Sequence, residues 1–241
     1  MVTVEKSHAP ARVAIVRWAA QMGAITAEAL AVREQASVAS ARGRLLAAAR
    51  EGLLLRRRPL LAEPALFSAT RAGMRLAGTP GLLPARVSAA NAAHAIVCAR
   101  VAAALERAYP NHQVMGEREL RREEHASGAA LASASLGAAP DDTPLLHRPD
   151  LVLWPSPAGA LPVAVEVELT VKAPQRLVSI CRAWARCRCV EGVLYVAAAE
   201  VRRPLERAIA AAQAADRITL LAPSGLGLDC SSDAAPESHP H

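Results

Sequence analysis

Three carboxylates lie close together on one short stretch of this chain. His147-Arg148-Pro149-Asp150 is followed, after an apolar run and a turn, by Val163-Ala164-Val165-Glu166-Val167-Glu168-Leu169-Thr170-Val171-Lys172. Leu151-Val152-Leu153-Trp154 has the length and apolar character of a strand. Pro155 to Gly159 carries turn punctuation, and Pro162 to Val171 is Val-rich and alternating. The pattern predicts a β-hairpin. With the turn centred on Ala158, Asp150 and Glu166 face each other across the strands, their Cβ atoms about 4.5–5.5 Å apart. Like charges at that separation repel unless a cation sits between them or one carboxylate keeps its proton. Hard oxygen donors suit Mg2+ or Mn2+, so the spacing points to a metal site at Asp150 and Glu166. Glu168 shares the face of Glu166 and offers a third ligand or a general base. The same register also allows a plainer arrangement, in which Glu168 pairs with Arg148 and Asp150 only starts a turn.

Lys172 is the one ammonium near these acids; the chain's other lysine is Lys6, and its remaining basic residues are arginines. A straight strand rises about 3.3 Å per residue, which sets Lys172 roughly 13 Å from Glu168 and roughly 20 Å from Glu166. It reaches them only if the strand ends or bends near Thr170 and the side chain folds back. Otherwise it serves a phosphate further along a nucleic acid, or is surface charge.

The elements upstream would deliver such a hairpin to a polyanion. Val13 to Met22 is periodic and stops at Gly23, Thr26 opens a second short helix, and Ser37 caps a third that runs to Glu51. Leu53 to Pro59 and Leu66 to Thr70 read as two strands around a short basic wing, and Arg71 begins another helix. This resembles the winged helix of many bacterial DNA-binding proteins. In that arrangement the third helix enters the major groove and the wing touches backbone, so Ser40, Arg42, Arg44, Arg56, Arg57 and Arg58 are the candidate DNA contacts. The alternatives are solvated arginines and a module that docks protein. Residues 1–80 carry 12 Lys and Arg against 5 Asp and Glu, within a net charge of +6. Such an excess favours phosphate attraction, although an Arg-rich coding bias would produce it too.

Asn91 to Tyr109 reads as a long Ala-rich helix with His94 near its start, a residue expected to pack or face solvent. Val114 to Leu120 reads as a strand carrying Glu117 or Glu119 inward. Residues 123–146 read as an irregular loop, Gln175 to Arg188 as an amphipathic helix, Gly192 to Ala197 as a buried strand, Pro204 to Ala215 as a helix and Arg217 to Leu221 as a last strand.

The order of these motifs resembles the replication-relaxation family of bacterial mobile elements. An upstream Glu comes first, then Arg148-Pro149-Asp150 before a strand, then a turn, then Glu166-x-Glu168-Leu169-x-x-Lys172 running into a helix. Asn91-Ala92-Ala93-His94 opening a helix that ends near Leu105-Glu106 fits it as well, and the likeness spans roughly residues 10–222. It implies a C-terminal half similar to the PD-(D/E)XK nuclease fold, with Asp150 and Glu166 as metal carboxylates and Glu117 or Glu119 as the upstream acid. The chain departs from that pattern at Glu168, where the nuclease motif usually has Lys.

The expectation is therefore an α/β protein, α+β overall. Residues 10–80 form a winged helix-turn-helix, 81–90 a linker, 91–222 a restriction-endonuclease-like mixed-sheet domain, and 223–241 a disordered tail. Its expected role is DNA binding in plasmid or mobile-element replication, with a Mg2+- or Mn2+-dependent endonuclease or nickase as one outcome. A non-catalytic regulator whose nuclease-like half is a scaffold is the other. Double-stranded DNA is the expected partner, with replication or conjugation proteins beside it. With 52% apolar residues the chain can bury a sizeable core. It has neither a long charge-free apolar run nor a signal-type N-terminus, so a cytoplasmic protein is expected. Aromatic residues make up only 2%, which disfavours base stacking on single strands. No Walker lysine loop, dinucleotide glycine fingerprint or nucleophile elbow occurs. The five cysteines form neither a CxxC pair nor a zinc-type spacing with histidine, and are expected to be small core or surface residues.

Overall fold

The computed structural model describes residues 9–79, 81–156 and 159–226. Its first elements are α1 (Ala9–Met22), α2 (Ala27–Glu34), α3 (Val38–Arg50), the hairpin β1 (Leu54–Arg57) and β2 (Leu66–Ala69), and α4 (Arg71–Ala77). Three helices begin on side-chain caps. Thr26 Oγ1 accepts from Ala29 N at 3.1 Å, Ser37 Oγ from Ser40 N at 3.2 Å and Thr70 Oγ1 from Gly73 N at 3.1 Å. Each cap satisfies an otherwise orphaned N–H and contributes about 1 kcal/mol. Ile25 bridges Phe67 through two backbone hydrogen bonds, of 3.0 and 2.8 Å, which ties the loop before α2 to the hairpin.

The chain continues through α5 (Ala89–Ala108), β3 (Gln113–Gly116), α6 (Glu117–Ser127), β4 (Ala134–Ala138), β5 (Pro144–His147), β6 (Leu151–Trp154), β7 (Val163–Glu168), α7 (Pro174–Arg186), β8 (Gly192–Ala197), α8 (Ala199–Ala212) and β9 (Ile218–Leu221). Five strands make one mixed sheet in the order β3-β6-β7-β8-β9, antiparallel as far as β7 and parallel from there on. Successive residues of a strand face opposite ways, and both faces are covered. Leu151, Leu153, Val165 and Val167 pack with Ala99, Ala102 and Leu105 of α5. Val152, Ala164, Val193 and Tyr195 pack with Leu177, Ile180 and Trp184 of α7 and Leu205 and Ile209 of α8. The first of these clusters also takes in Trp18, Leu30 and Leu45, so the α1–α3 bundle and the sheet share a core.

Five sequence expectations need correction, the fifth being the start of the tail. The expected strand over 114–120 stops at Gly116, and Glu117 opens α6 with two acids in its first turn, where the helix dipole favours them. The expected loop 123–146 holds the end of α6 and a small antiparallel sheet, β4 with β5, whose register shifts between Ser135 and Ala138. Helix α7 starts and stops earlier than expected. Helix α8 begins a turn before Pro204, which lies inside it, after Ala198 N bonds Glu168 O at 3.0 Å. Pro223–Leu226 makes a 3-10 turn. The rest of the expected tail, and Ala158 at the expected turn centre, lie outside the described residues.

Candidate functional site

Strands β6 and β7 pair with Leu151 opposite Val165 and Leu153 opposite Val163. Continued by one residue, this register sets Asp150 against Glu166 at the end of the sheet. Asp150 is anchored there from three directions. Its Oδ2 accepts from Val167 N at 2.8 Å, its backbone oxygen accepts from Glu117 N at 2.9 Å, and its Oδ1 lies 3.3 Å from His94 Nε2 on α5. His94 Nε2 is also 3.2 Å from Val167 O, and Cys98, one helical turn on, places its Sγ 3.5 Å from His94 Nδ1. The hydrogen bond to Asp150 raises the His94 pKa above its usual 6.5 against the opposing effect of burial.

Glu166 is buried, and Oε1 takes two polar contacts: His147 Nε2 at 2.7 Å and the Trp184 indole N–H, donating at 3.1 Å. Burial pushes the Glu166 carboxyl up, while the bond to His147 and its charge pull the other way. Burial opposes a charge on His147, yet the hydrogen bond and charge of Glu166 outweigh it and leave the imidazole raised. The repulsion expected between Asp150 and Glu166 is thus met in this chain by two imidazoles, one for each acid.

Glu168 is buried as well. Its partner is Lys172, and the expected cross-strand pair with Arg148 does not form: β7 ends at Glu168 and the chain turns, so the ammonium folds back onto the carboxylate four residues earlier. Arg148 instead donates from Nε to Glu124 Oε2 at 2.8 Å. The charge of Lys172 is felt at His94, His147 and Glu166, and that of Asp150 at both imidazoles and Glu166. These groups therefore form one electrostatic cluster.

The upstream acids take different places. Glu117 is half-exposed, pairs with Arg121 and lines a 260 Å³ cavity beside His94, Cys98 and Asp150. Glu119 is buried away from that cavity's lining, bonded to Gln21 at 3.2 Å and Arg122 at 3.4 Å. Among the candidate DNA contacts, Ser40 is exposed, Arg42 lies 3.5 Å from Glu28, Arg44 is paired with Glu34, and Arg57 donates to Val87 O at 3.3 Å. Arg56 and Arg58 are exposed, carry no ion pair among the described residues and border, with Arg42, a small cleft between helices and hairpin.

No family model matches this chain, and no curated protein or solved structure shows significant similarity to it.

The residues to which sequence reading gave no role at the site are the neutral and basic partners: His94, expected to pack or face solvent, His147, Trp184 and Cys98. They also decide which ion the site suits. Among the described residues, the group of three potential ligands whose atoms converge within 4.8 Å is His94, Cys98 and Asp150; Asp150, Glu166 and Glu168 do not form such a group. A nitrogen, a sulfur and an oxygen are not what Mg2+ or Mn2+ selects. The expected oxygen-only site therefore does not match this arrangement.

Proposed function

We propose that this chain is a duplex-DNA-binding protein serving replication or relaxation of a plasmid or other mobile element, with phosphodiester hydrolysis as its chemistry. In this reading α1 to α4 with the β1–β2 hairpin are a winged helix that holds the duplex, and α5 to β9 are a nuclease-like unit of PD-(D/E)XK type. Its other partners would be replication or conjugation proteins. The order α5, antiparallel strands β3, β6 and β7 (with α6 and the separate β4–β5 hairpin between the first two), α7, then parallel β8 supports the second assignment, and the exposed Arg56 and Arg58 on the hairpin support the first.

The observation that carries the reading is the return of Lys172 onto Glu168 at the end of β7, beside Asp150 and Glu166. The ammonium that the sequence seemed to hold too far away joins the acids because the strand ends two residues before Thr170. Hydrolysis of a phosphodiester needs a proton acceptor for the attacking water and positive charge for the developing phosphorane. Glu168 offers the first and Lys172 the second, while His94 holds Asp150 and His147 holds Glu166 in place.

A second reading has its own observation. Asp150, Glu166 and Glu168 each already have protein partners, as in a purely structural network, which suits a DNA-binding regulator whose nuclease-like half is a scaffold. Nicking of supercoiled plasmid separates the two, with Mg2+, Mn2+ and Zn2+ added in turn. The parent should nick, Asp150→Ala and Glu166→Ala should not, and Lys172→Ala should be slower by on the order of 10²–10³-fold. A parent that retards duplex DNA yet leaves plasmid intact with every ion would establish the scaffold reading.

A further inference from the structure

We propose that His94, Cys98 and Asp150 form a three-ligand site for a zinc-class divalent ion. His94 and Cys98 are four residues apart on α5, so both side chains leave the same face of the helix. That face meets the start of β6, where Asp150 is fixed by the Val167 N–H. His94 Nε2 lies 3.3 Å from Asp150 Oδ1 and 3.7 Å from Cys98 Sγ. With bonds of about 2.0–2.2 Å to nitrogen and oxygen and about 2.3 Å to sulfur, the ligand atoms of a tetrahedral zinc ion lie roughly 3.3–3.6 Å from one another. Two of the three pairs thus already stand near the separations such an ion imposes, the third lies within 4.8 Å, and an ion would take the place of the Val167 carbonyl at His94 Nε2.

The donor set sharpens the class. Imidazole and thiolate select borderline and soft ions, and a carboxylate beside them is an ordinary zinc ligand. An ion here replaces the Cys98 thiol proton. Three protein ligands leave a fourth position, and the 260 Å³ cavity lined by His94, Cys98, Asp150, Glu117 and Asn91 lies beside it. That is the layout of a zinc site with an exchangeable ligand and not of a closed structural one. The site shares Asp150 with the proposed hydrolytic centre, but its occupancy does not depend on that reading.

Cobalt(II) titration of the metal-free full-length protein tests it, because a thiolate bound to Co2+ gives a sulfur-to-metal charge-transfer band and a tetrahedral ion gives intense visible bands. One equivalent of Co2+ should produce both. One equivalent of Zn2+ should remove them, and excess Mg2+ should leave them unchanged. Cys98→Ser should lose the charge-transfer band, and Asp150→Asn should weaken binding with the band retained. A Cys187→Ser, Cys189→Ser double variant should behave as the parent. A parent with no charge-transfer band, or a band that survives in Cys98→Ser and vanishes in the double variant, overturns the proposal. Should Cys98→Ser fail to fold, the double variant and His94→Ala decide the same question. The spectrum is read without DNA, so a nuclease-inactive protein that binds Co2+ through Cys98 would refute the hydrolytic reading alone.

Discussion

Glu166 lies between an imidazole and an indole, and that enclosure governs how the centre titrates. His147 binds its proton more tightly in the folded chain than in the unfolded one, where its value is near 6.5. The stability this supplies is complete below about 6.5 and is lost as pH rises through the raised folded value. His94 adds to the same slope. Glu166 has the same sign in a lower window: burial raises its pKa, so the stability of its protonated form is lost as pH rises above its usual 4.5, the bond and charge of His147 working against this. The melting temperature of the metal-free protein should therefore fall as pH is raised past about 6.5. Glu166→Gln should flatten that part of the profile and lower the His147 pKa, as followed by proton NMR. An unaltered His147 titration in Glu166→Gln would contradict the pairing. At this scale the acids were legible, because Asp150, Glu166 and Glu168 stand out against an apolar hairpin. Their partners were not. His94 comes from a helix more than fifty residues upstream, and its neighbourhood exists only once α5 has packed on the sheet. His147 lay within the informative stretch, but only the β4–β5 hairpin turns it toward Glu166.

Among the elements, α4 depends on a glycine. A Cβ at Gly73 would collide with the Leu53 carbonyl and meet Val16 Cγ1 at 3.0 Å, so α4 can lie against the chain entering β1 only without one. Gly73→Ala should destabilise the protein by about 1–3 kcal/mol, the usual cost of overpacking a tight site. Urea denaturation measures this directly, and an unchanged midpoint would show that α4 does not dock as described. Two of the capped helices were readable at their starts, since Thr26 and Ser37 announce them, whereas Thr70 reads as the end of the preceding strand and caps α4. Two other elements were not. Glu117 to Ser127 is too polar to display a clear apolar stripe, and its acids two apart mimic a strand face until Gly116 ends β3. Strand β4 of the β4–β5 hairpin is built mainly from Ala, Ser and Gly, residues with little strand preference, and is held by packing on α7.

Across the whole molecule, the bundle and the sheet act as one body. Besides the shared core, Gln21 of α1 bonds Glu119 of α6 at 3.2 Å, Arg33 of α2 pairs with Glu106 of α5, and Gly116 leaves room for the Gln21 carbonyl, which a Cβ would approach to 2.9 Å. A duplex held on the bundle would therefore be presented to the site in a defined orientation. Among the described residues no helix is long and apolar enough to cross a membrane. The basic excess of the first 80 residues, 12 against 5, was legible as charge, but how much of it is available to DNA was not. Arg42 and Arg44 are paired with Glu28 and Glu34, and Arg57 is tethered to the Val87 carbonyl, which leaves Arg56 and Arg58 as the hairpin arginines with neither an ion pair nor a tether among the described residues.

Equilibrium binding to a duplex in chelator across a salt series decides whether this protein acts on duplex DNA as proposed. The parent should bind with affinity that falls steeply as salt rises. The Arg56→Ala, Arg58→Ala double variant should bind more weakly, with the slope of log K against log salt reduced by about 2. The Arg42→Ala, Arg44→Ala pair should change that slope less. A parent with no measurable duplex affinity at low salt, or one whose binding ignores both salt and the hairpin arginines, would rule out a duplex-DNA role.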